Sequence, residues 1–394
     1  MDLFEKARQF TLVSEAKAGG WYPYFLPLED TEGTEVTIYG KRIIMIGSNN
    51  YLGLTTHPKV REAAIEAIRR YGTSCTGSRF LNGTMKLHLE CEEQLAAFVG
   101  KEAACIFSTG MQANLGAISA LIGKGDVVLV DKDDHASIVD GARLGFGEMR
   151  RFVHSDMGSL ERQLKSVPEQ SGILVVVDGV YSMGGDIAPL SDIVKLCQKY
   201  GARVYCDDAH SLGVLGPQGR GTAAHFGLTD KVDLIMGTFS KSFASLGGFV
   251  AGDADVMNWI QHMARTMIFS ASMPASQVAA VMAALEIMQC EPERIERLWY
   301  NTRKMREGYQ AMGYDTGPSE TPVIPIMIGD DQKTFAAWKT LFEAGIYTNP
   351  VIPPAVPPNK SLLRTSYMAT HTDKQLDFVL ETFHKVGKDL GLIQ

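Results

Sequence analysis

Lys241 lies in Gly237-Thr238-Phe239-Ser240-Lys241-Ser242, directly after the apolar run Asp233-Leu234-Ile235-Met236, and Gly247-Gly248 follow it. A lysine that ends a short β-like run among hydroxyls is placed for partial burial. Burial lowers an amine pKa and makes the group a nucleophile or a base. Most lysines are solvated surface charges, so this one gains weight from its company. Val127–Val130 runs into Asp131 and then His135-Ala136-Ser137. Ile173–Val177 runs into Asp178 and Ser182, and Arg203–Cys206 into Asp207-Asp208-Ala209-His210. Ala104–Phe107 runs into Ser108-Thr109-Gly110-Met111, which opens a helical pattern. Each has an ordinary reading alone. An aspartate after a strand is often a turn or a cap, and a lone histidine is more often a satisfied core residue. Five such ends with complementary chemistry are better read as one site.

The chemistry of that set narrows the ligand. A helix start at Gly110 and Met111 offers N–H groups and a positive dipole end to a phosphate. Lys241 offers an amine to an aldehyde. Asp207 can face a protonated ring nitrogen, and His135 can stack on a flat ring. Pyridoxal phosphate meets all four requirements, since it pairs a lysine Schiff base with an acidic partner for its ring nitrogen. Rival nucleotide motifs fail. A P-loop needs glycine before its Lys-Ser pair, and Ser240 stands there. No G-x-G-x-x-G lies at a strand-to-helix turn.

The elements that must hold these residues are legible as pattern. From 58 to 285 the chain alternates strand, loop and helix. Strands are expected at Ala104–Phe107, Val127–Val130, Ile173–Val177, Arg203–Cys206, Asp233–Met236 and Phe249–Ala251, with helices over Asn114–Leu121, Leu160–Lys165 and Ile193–Tyr200. Near-continuous Val/Ile/Leu runs between helices predict an α/β fold whose central sheet is mostly parallel, with helices on both faces. In such sheets ligands bind beyond the carboxyl ends of the strands. Residues 1–57 read as an amphipathic helix over 1–20, ended by Gly19-Gly20, then a hairpin over 35–46 turning at Tyr39-Gly40. Residues 286–394 read as a small C-terminal α/β domain, with a stiff proline loop (Pro350 to Pro358) before its last strand.

Bulk composition bounds the function. The 394 residues are 45% hydrophobic and 21% charged, as in a soluble globular protein, with a net charge of −7. That charge argues against a nucleic-acid partner. The six cysteines form no C-x-x-C pair, and the nine histidines show no metal-ligand spacing, so no metal is expected. Scattered cysteines at apolar positions read as reduced residues of a cytoplasmic protein. The N-terminus lacks a signal-peptide pattern, and no apolar run is long enough for a membrane span.

Taken together, Asp134-His135-Ala136-Ser137, Asp178-Gly179-Val180-Tyr181-Ser182-Met183, Asp207-Asp208-Ala209-His210 and Thr238-Phe239-Ser240-Lys241 with Gly247-Gly248 resemble the α-oxoamine synthases. These are fold-type I pyridoxal phosphate enzymes. The likeness runs from Ser48-Asn49-Asn50-Tyr51-Leu52-Gly53 to Arg364 and His371-Thr372. The Thr-Phe-Ser-Lys-Ser version, Gly77 to Thr84 and Leu363 to Tyr367 are most similar to the soluble bacterial serine palmitoyltransferases of that family. The resemblance implies a decarboxylative condensation of L-serine with palmitoyl-CoA to 3-ketodihydrosphingosine, CoA and carbon dioxide.

It also implies roles. Lys241 carries the cofactor and then serves as base. Asp207 faces the ring nitrogen and His135 covers the ring. Ser182 and His210 contact the ring hydroxyl. Gly110, Met111, Thr238 and Ser240 hold the phosphate, and Ser270 or Ser272 reaches the phosphate of a partner in a homodimer. Asn49, Ser78 and Arg364 bind substrate, Arg364 through its carboxylate-matching fork. A glycine C-acetyltransferase (2-amino-3-ketobutyrate CoA ligase) or another member is the alternative within the family. A non-catalytic partner subunit is the alternative outside catalysis, against which Lys241, Asp207 and His135 speak. The aromatic cluster Trp21, Tyr22, Tyr24 and Phe25 leaves two uses open: an acyl channel or peripheral membrane contact, or packing at a dimer or domain boundary.

Overall fold

The computed structural model describes residues 2–394. Its centre is a seven-stranded sheet. In spatial order the strands are Ala103–Phe107, Gly248–Gly252, Leu234–Thr238, Arg203–Asp207, Ile173–Asp178, Val127–Asp131 and Glu148–Phe152. Every pairing is parallel except those of Gly248–Gly252, which runs antiparallel to both neighbours. The carboxyl ends of the other six strands therefore share one edge.

The apolar runs are buried on both sides because side chains alternate across a strand. Val175 and Val177 join the core on one face, with Leu95, Leu160, Ile193 and Val278 from helices. Leu174 and Val176 join the other, with Ala113, Ile118, Ile138 and Ile260. Each expected strand of this sheet is present; five are extended by one or two residues, and Asp233–Met236 is shifted to Leu234–Thr238. Glu148–Phe152 is an additional strand at the sheet's edge. Its run Glu-Met-Arg-Arg-Phe buries only Phe152, so no apolar pattern announced it.

The hairpin pairs Glu35–Ile38 with Lys41–Met45 around Tyr39 and Gly40, whose φ values of 50° and 68° are those of a tight two-residue turn. Lys41–Met45 also pairs in parallel with Ile346–Tyr347, so the N-terminal hairpin is built onto the C-terminal part of the chain. That part centres on a three-stranded antiparallel sheet of Val323–Gly329, Ser361–Ser366 and Asn349–Val351. Asn349–Val351 takes up the start of the proline loop as an edge strand, where a missing N–H is tolerated. Helices Asp331–Glu343 and Asp373–Asp389 pack on this sheet through Trp338, Leu341, Leu376, Val379 and Phe383.

The expected helix over 1–20 differs. The structure has two short helices, Glu5–Arg8 and Leu12–Ala18, and of these residues only Ala16 is buried. Leu3, Phe4, Phe10 and Leu12 stay exposed. Without a surface to cover, the apolar stripe does not hold one continuous helix. No helix among the described residues is long and apolar enough to cross a membrane.

Candidate active site

A cavity of about 230 Å³ opens at the shared strand edge. Its wall includes Gly110 and Met111 from one strand end, His135 from a second and Ser182 from a third. Asp207 and His210 come from a fourth, and Thr238, Ser240 and Lys241 from a fifth. The topology thus gathers the residues singled out by their position after apolar runs.

Burial in this cavity lowers the Lys241 pKa to about 8; Asp207 and Asp178 oppose the shift, and Arg364 adds to it. The amine is therefore partly neutral near physiological pH, as a nucleophile or base requires. Asp207 is 2% exposed. It accepts from the Asn114 amide at 2.7 Å and from the Ala209 N–H at 2.9 Å.

His135 caps the helix Ala136–Leu144, its Nδ1 accepting from the Ser137 N–H at 3.2 Å. Its own N–H donates to Asp178 at 2.9 Å. Desolvation holds the ring below its ordinary pKa, Lys241 adds to this, and Asp207 opposes it. His210 is 2.6 Å from the Tyr51 hydroxyl through Nδ1, and burial holds its pKa well below the usual value.

The helix Gly110–Leu121 starts at the cavity, with Thr109 as its cap accepting from the Gln112 N–H at 3.1 Å. The first N–H groups of a helix have no intrahelical partner, and those of Gly110 and Met111 stand at the cavity. Glycine is required at 110, because a Cβ there would lie 2.7 Å from Thr238 Oγ1. Thr238 and Ser240 bring their hydroxyls to 2.9 Å from each other beside this helix start. The set fits pyridoxal phosphate: an N–H and hydroxyl cradle, a poorly solvated amine, a buried carboxylate and an imidazole, all around one cavity.

Other predicted residues lie outside the cavity wall. Arg364 is buried behind it, donating from Nε to the Ser182 carbonyl at 2.7 Å and from Nη2 to Asn49 Oδ1 at 2.9 Å. Asn49 and Arg364 are therefore partners. Ser78 is buried with its hydroxyl unpartnered among the described residues. Ser270 accepts from Gln112 Nε2 at 2.9 Å, whereas the buried Ser272 hydroxyl lies 2.9 and 2.7 Å from the Gly77 and Gly83 carbonyls. Ser272 is thus committed to tying down the 77–83 loop.

The sequence assigned no role to Asn114, Ser137, Tyr51 or His154. Asn114 and Ser137 line the cavity, and Tyr51 reaches it through His210. His154 lies between Asp131 at 2.9 Å and Asp186 at 3.0 Å, and these two carboxylates raise its pKa to about 10. The only sequence signal for Asn114 was an amide inside an otherwise apolar helix.

Residues 41–383 match the family described as aminotransferase class I and II. The chain belongs to that family and, within it, to the α-oxoamine synthase branch of the fold-type I pyridoxal phosphate enzymes. Serine palmitoyltransferase from Sphingobacterium spiritivorum is 52% identical over 98% of this chain and 97% of its own length. That from Bacteriovorax stolpii is 52% identical over 93% and 88%. The solved serine palmitoyltransferase from S. paucimobilis, with a bound PLP–myriocin aldimine, is 39% identical, with a TM-score of 0.97 over 100% of both chains. The chain is a pyridoxal phosphate-dependent acyltransferase.

Proposed function

We propose that this chain condenses L-serine with a long-chain acyl-CoA, palmitoyl-CoA, giving 3-ketodihydrosphingosine, CoA and carbon dioxide, the first step of sphingolipid synthesis. The observation that carries the reading is a single cavity joining the amine of Lys241, the carboxylate of Asp207 and the helix start at Gly110. Half-identity to serine palmitoyltransferases over nearly the whole chain supports the choice of substrates.

When bound, pyridoxal phosphate supplies an electron sink for negative charge at the α-carbon of the amino acid. Lys241 would hold the cofactor through its amine and, once freed, would take the proton from that carbon. Asp207 would face the ring nitrogen and His135 would cover one ring face. Ser182 and His210 would contact the ring hydroxyl. Gly110 and Met111 N–H groups, with the hydroxyls of Thr238 and Ser240, would hold the phosphate.

Arg364 binds the serine carboxylate with the donors its two protein partners leave free, with Asn49 and Ser78 as further substrate contacts. Ser270 serves the partner's phosphate in a homodimer with shared active sites. Reduced cysteines support a cytoplasmic enzyme, and the exposed N-terminal apolar residues support peripheral contact with the inner membrane surface. Mass spectrometry of the lipid made from serine and palmitoyl-CoA tests the reading. The expected product is the 18-carbon amino ketone, and its absence from the fully loaded enzyme overturns the proposal.

A further inference from the structure

Asn114 is 1% exposed and sits inside the helix Gly110–Leu121. Burying a primary amide is unfavourable unless its donors and acceptor are all matched. Here they are. Nδ2 donates to Asp207 Oδ2 at 2.7 Å and to Ser137 Oγ at 2.9 Å, and Oδ1 accepts from the Tyr205 hydroxyl at 2.8 Å. Both Asp207 oxygens accept here, Oδ2 from Asn114 and Oδ1 from the Ala209 N–H, so the NH2 end of the amide faces the carboxyl.

The consequence passes through Ser137. Its oxygen accepts from Asn114 and lies 2.8 Å from His135 Nδ1. Nδ1 also faces the Ser137 backbone N–H at 3.2 Å. A backbone N–H only donates, so Nδ1 is the acceptor, the Ser137 hydroxyl donates to it, and the proton of the neutral ring sits on Nε2. One buried amide therefore touches both groups that flank the cofactor ring: Asp207 directly, and His135 through one hydroxyl.

We propose that Asn114 is a positioning residue that orients the Asp207 carboxylate and, through Ser137, fixes the Nε2–H tautomer of His135. The proposal rests on the reading of Asp207 and His135 as cofactor contacts. The test uses holoenzyme with 15N-labelled histidine, comparing Asn114→Ala, Ser137→Ala and Asp207→Asn with the wild type. Measured quantities are cofactor affinity, the absorption spectrum of the bound cofactor and the His135 imidazole 15N shifts.

Asn114→Ala is expected to weaken cofactor affinity about tenfold, the scale of one hydrogen bond to a charged group. It should also shift the absorption maximum and mix the His135 tautomers. Ser137→Ala is expected to mix the tautomers while affinity stays within about twofold, since the Asp207 bond survives. Unchanged affinity and unchanged shifts in Asn114→Ala overturn the proposal. Should that variant fail to fold, unchanged His135 shifts in Ser137→Ala overturn it. Asp207→Asn separates the two levels. No change there defeats the reading of Asp207 itself. A change there with none in Asn114→Ala defeats the present inference alone.

Discussion

Lys241 has two forces on its charge: desolvation, which favours the neutral amine, and the carboxylates of Asp207 and Asp178, which oppose it. Desolvation wins, and the amine titrates near 8. Cofactor loading onto the cofactor-free chain needs the neutral amine. Its rate is expected to rise about tenfold per pH unit below 8 and to level off above it, followed by absorbance in stopped flow. A flat profile contradicts the role. Lys241→Ala is expected to lose both turnover and the cofactor fixed by borohydride. Arg364 makes a different prediction, because it touches Ser182 and Asn49 but does not line the cavity. Arg364→Ala is expected to raise the serine KM at least about tenfold, the scale of a charged hydrogen bond, with cofactor affinity little changed. Equal losses of both would remove its assignment to the substrate carboxylate. Lys241, Asp207, His135 and His210 were legible in the sequence because each closely follows an apolar strand. Asn114 and Tyr51 were not. Their partners lie 93 and 159 residues away, and only the topology brings them together.

At the scale of elements, the helix start at Gly110 and the strand Leu234–Thr238 approach so closely that no side chain fits between them. Gly110→Ala is expected to force them apart, at about 1–3 kcal/mol, and to weaken cofactor binding more than it lowers the melting temperature. Titration calorimetry and a thermal melt check this. A second clamp joins the strand end at Asp131 to the 178–186 segment through His154. Its folded pKa of about 10 exceeds the ordinary 6.5, so the clamp contributes fully below pH 6.5 and is lost as pH rises through 10. Stability of the wild type relative to His154→Gln is expected to fall across that window by at most about 1.4 kcal/mol per pH unit. Urea melts at several pH values measure it, and a constant difference contradicts the clamp. The strands with continuous apolar runs were legible. Glu148–Phe152 was not, because an edge strand with exposed arginines has no such run, and the N-terminal helix was overextended because its apolar stripe meets no partner surface.

For the whole molecule, the α/β class and the mostly parallel sheet followed from the alternation of apolar runs and helices. The attachment of the N-terminal hairpin to Ile346–Tyr347 did not, since nothing in either segment names a partner some 300 residues away. The surface carries a further message. Met111 and Leu246 in the cavity wall are 49% and 52% exposed, and Phe269 beside Ser270 is 73% exposed. Apolar side chains at such positions fit a covered interface. Sedimentation is expected to give a particle of twice the 43.1 kDa chain, and a stable active monomer would contradict shared active sites. The central claim is the choice of substrates, and it is tested most directly by kcat/KM over acyl-CoA thioesters of increasing chain length, with serine and glycine in parallel. Serine with palmitoyl-CoA is predicted to be the best pair. Glycine with acetyl-CoA as the best pair would contradict the account.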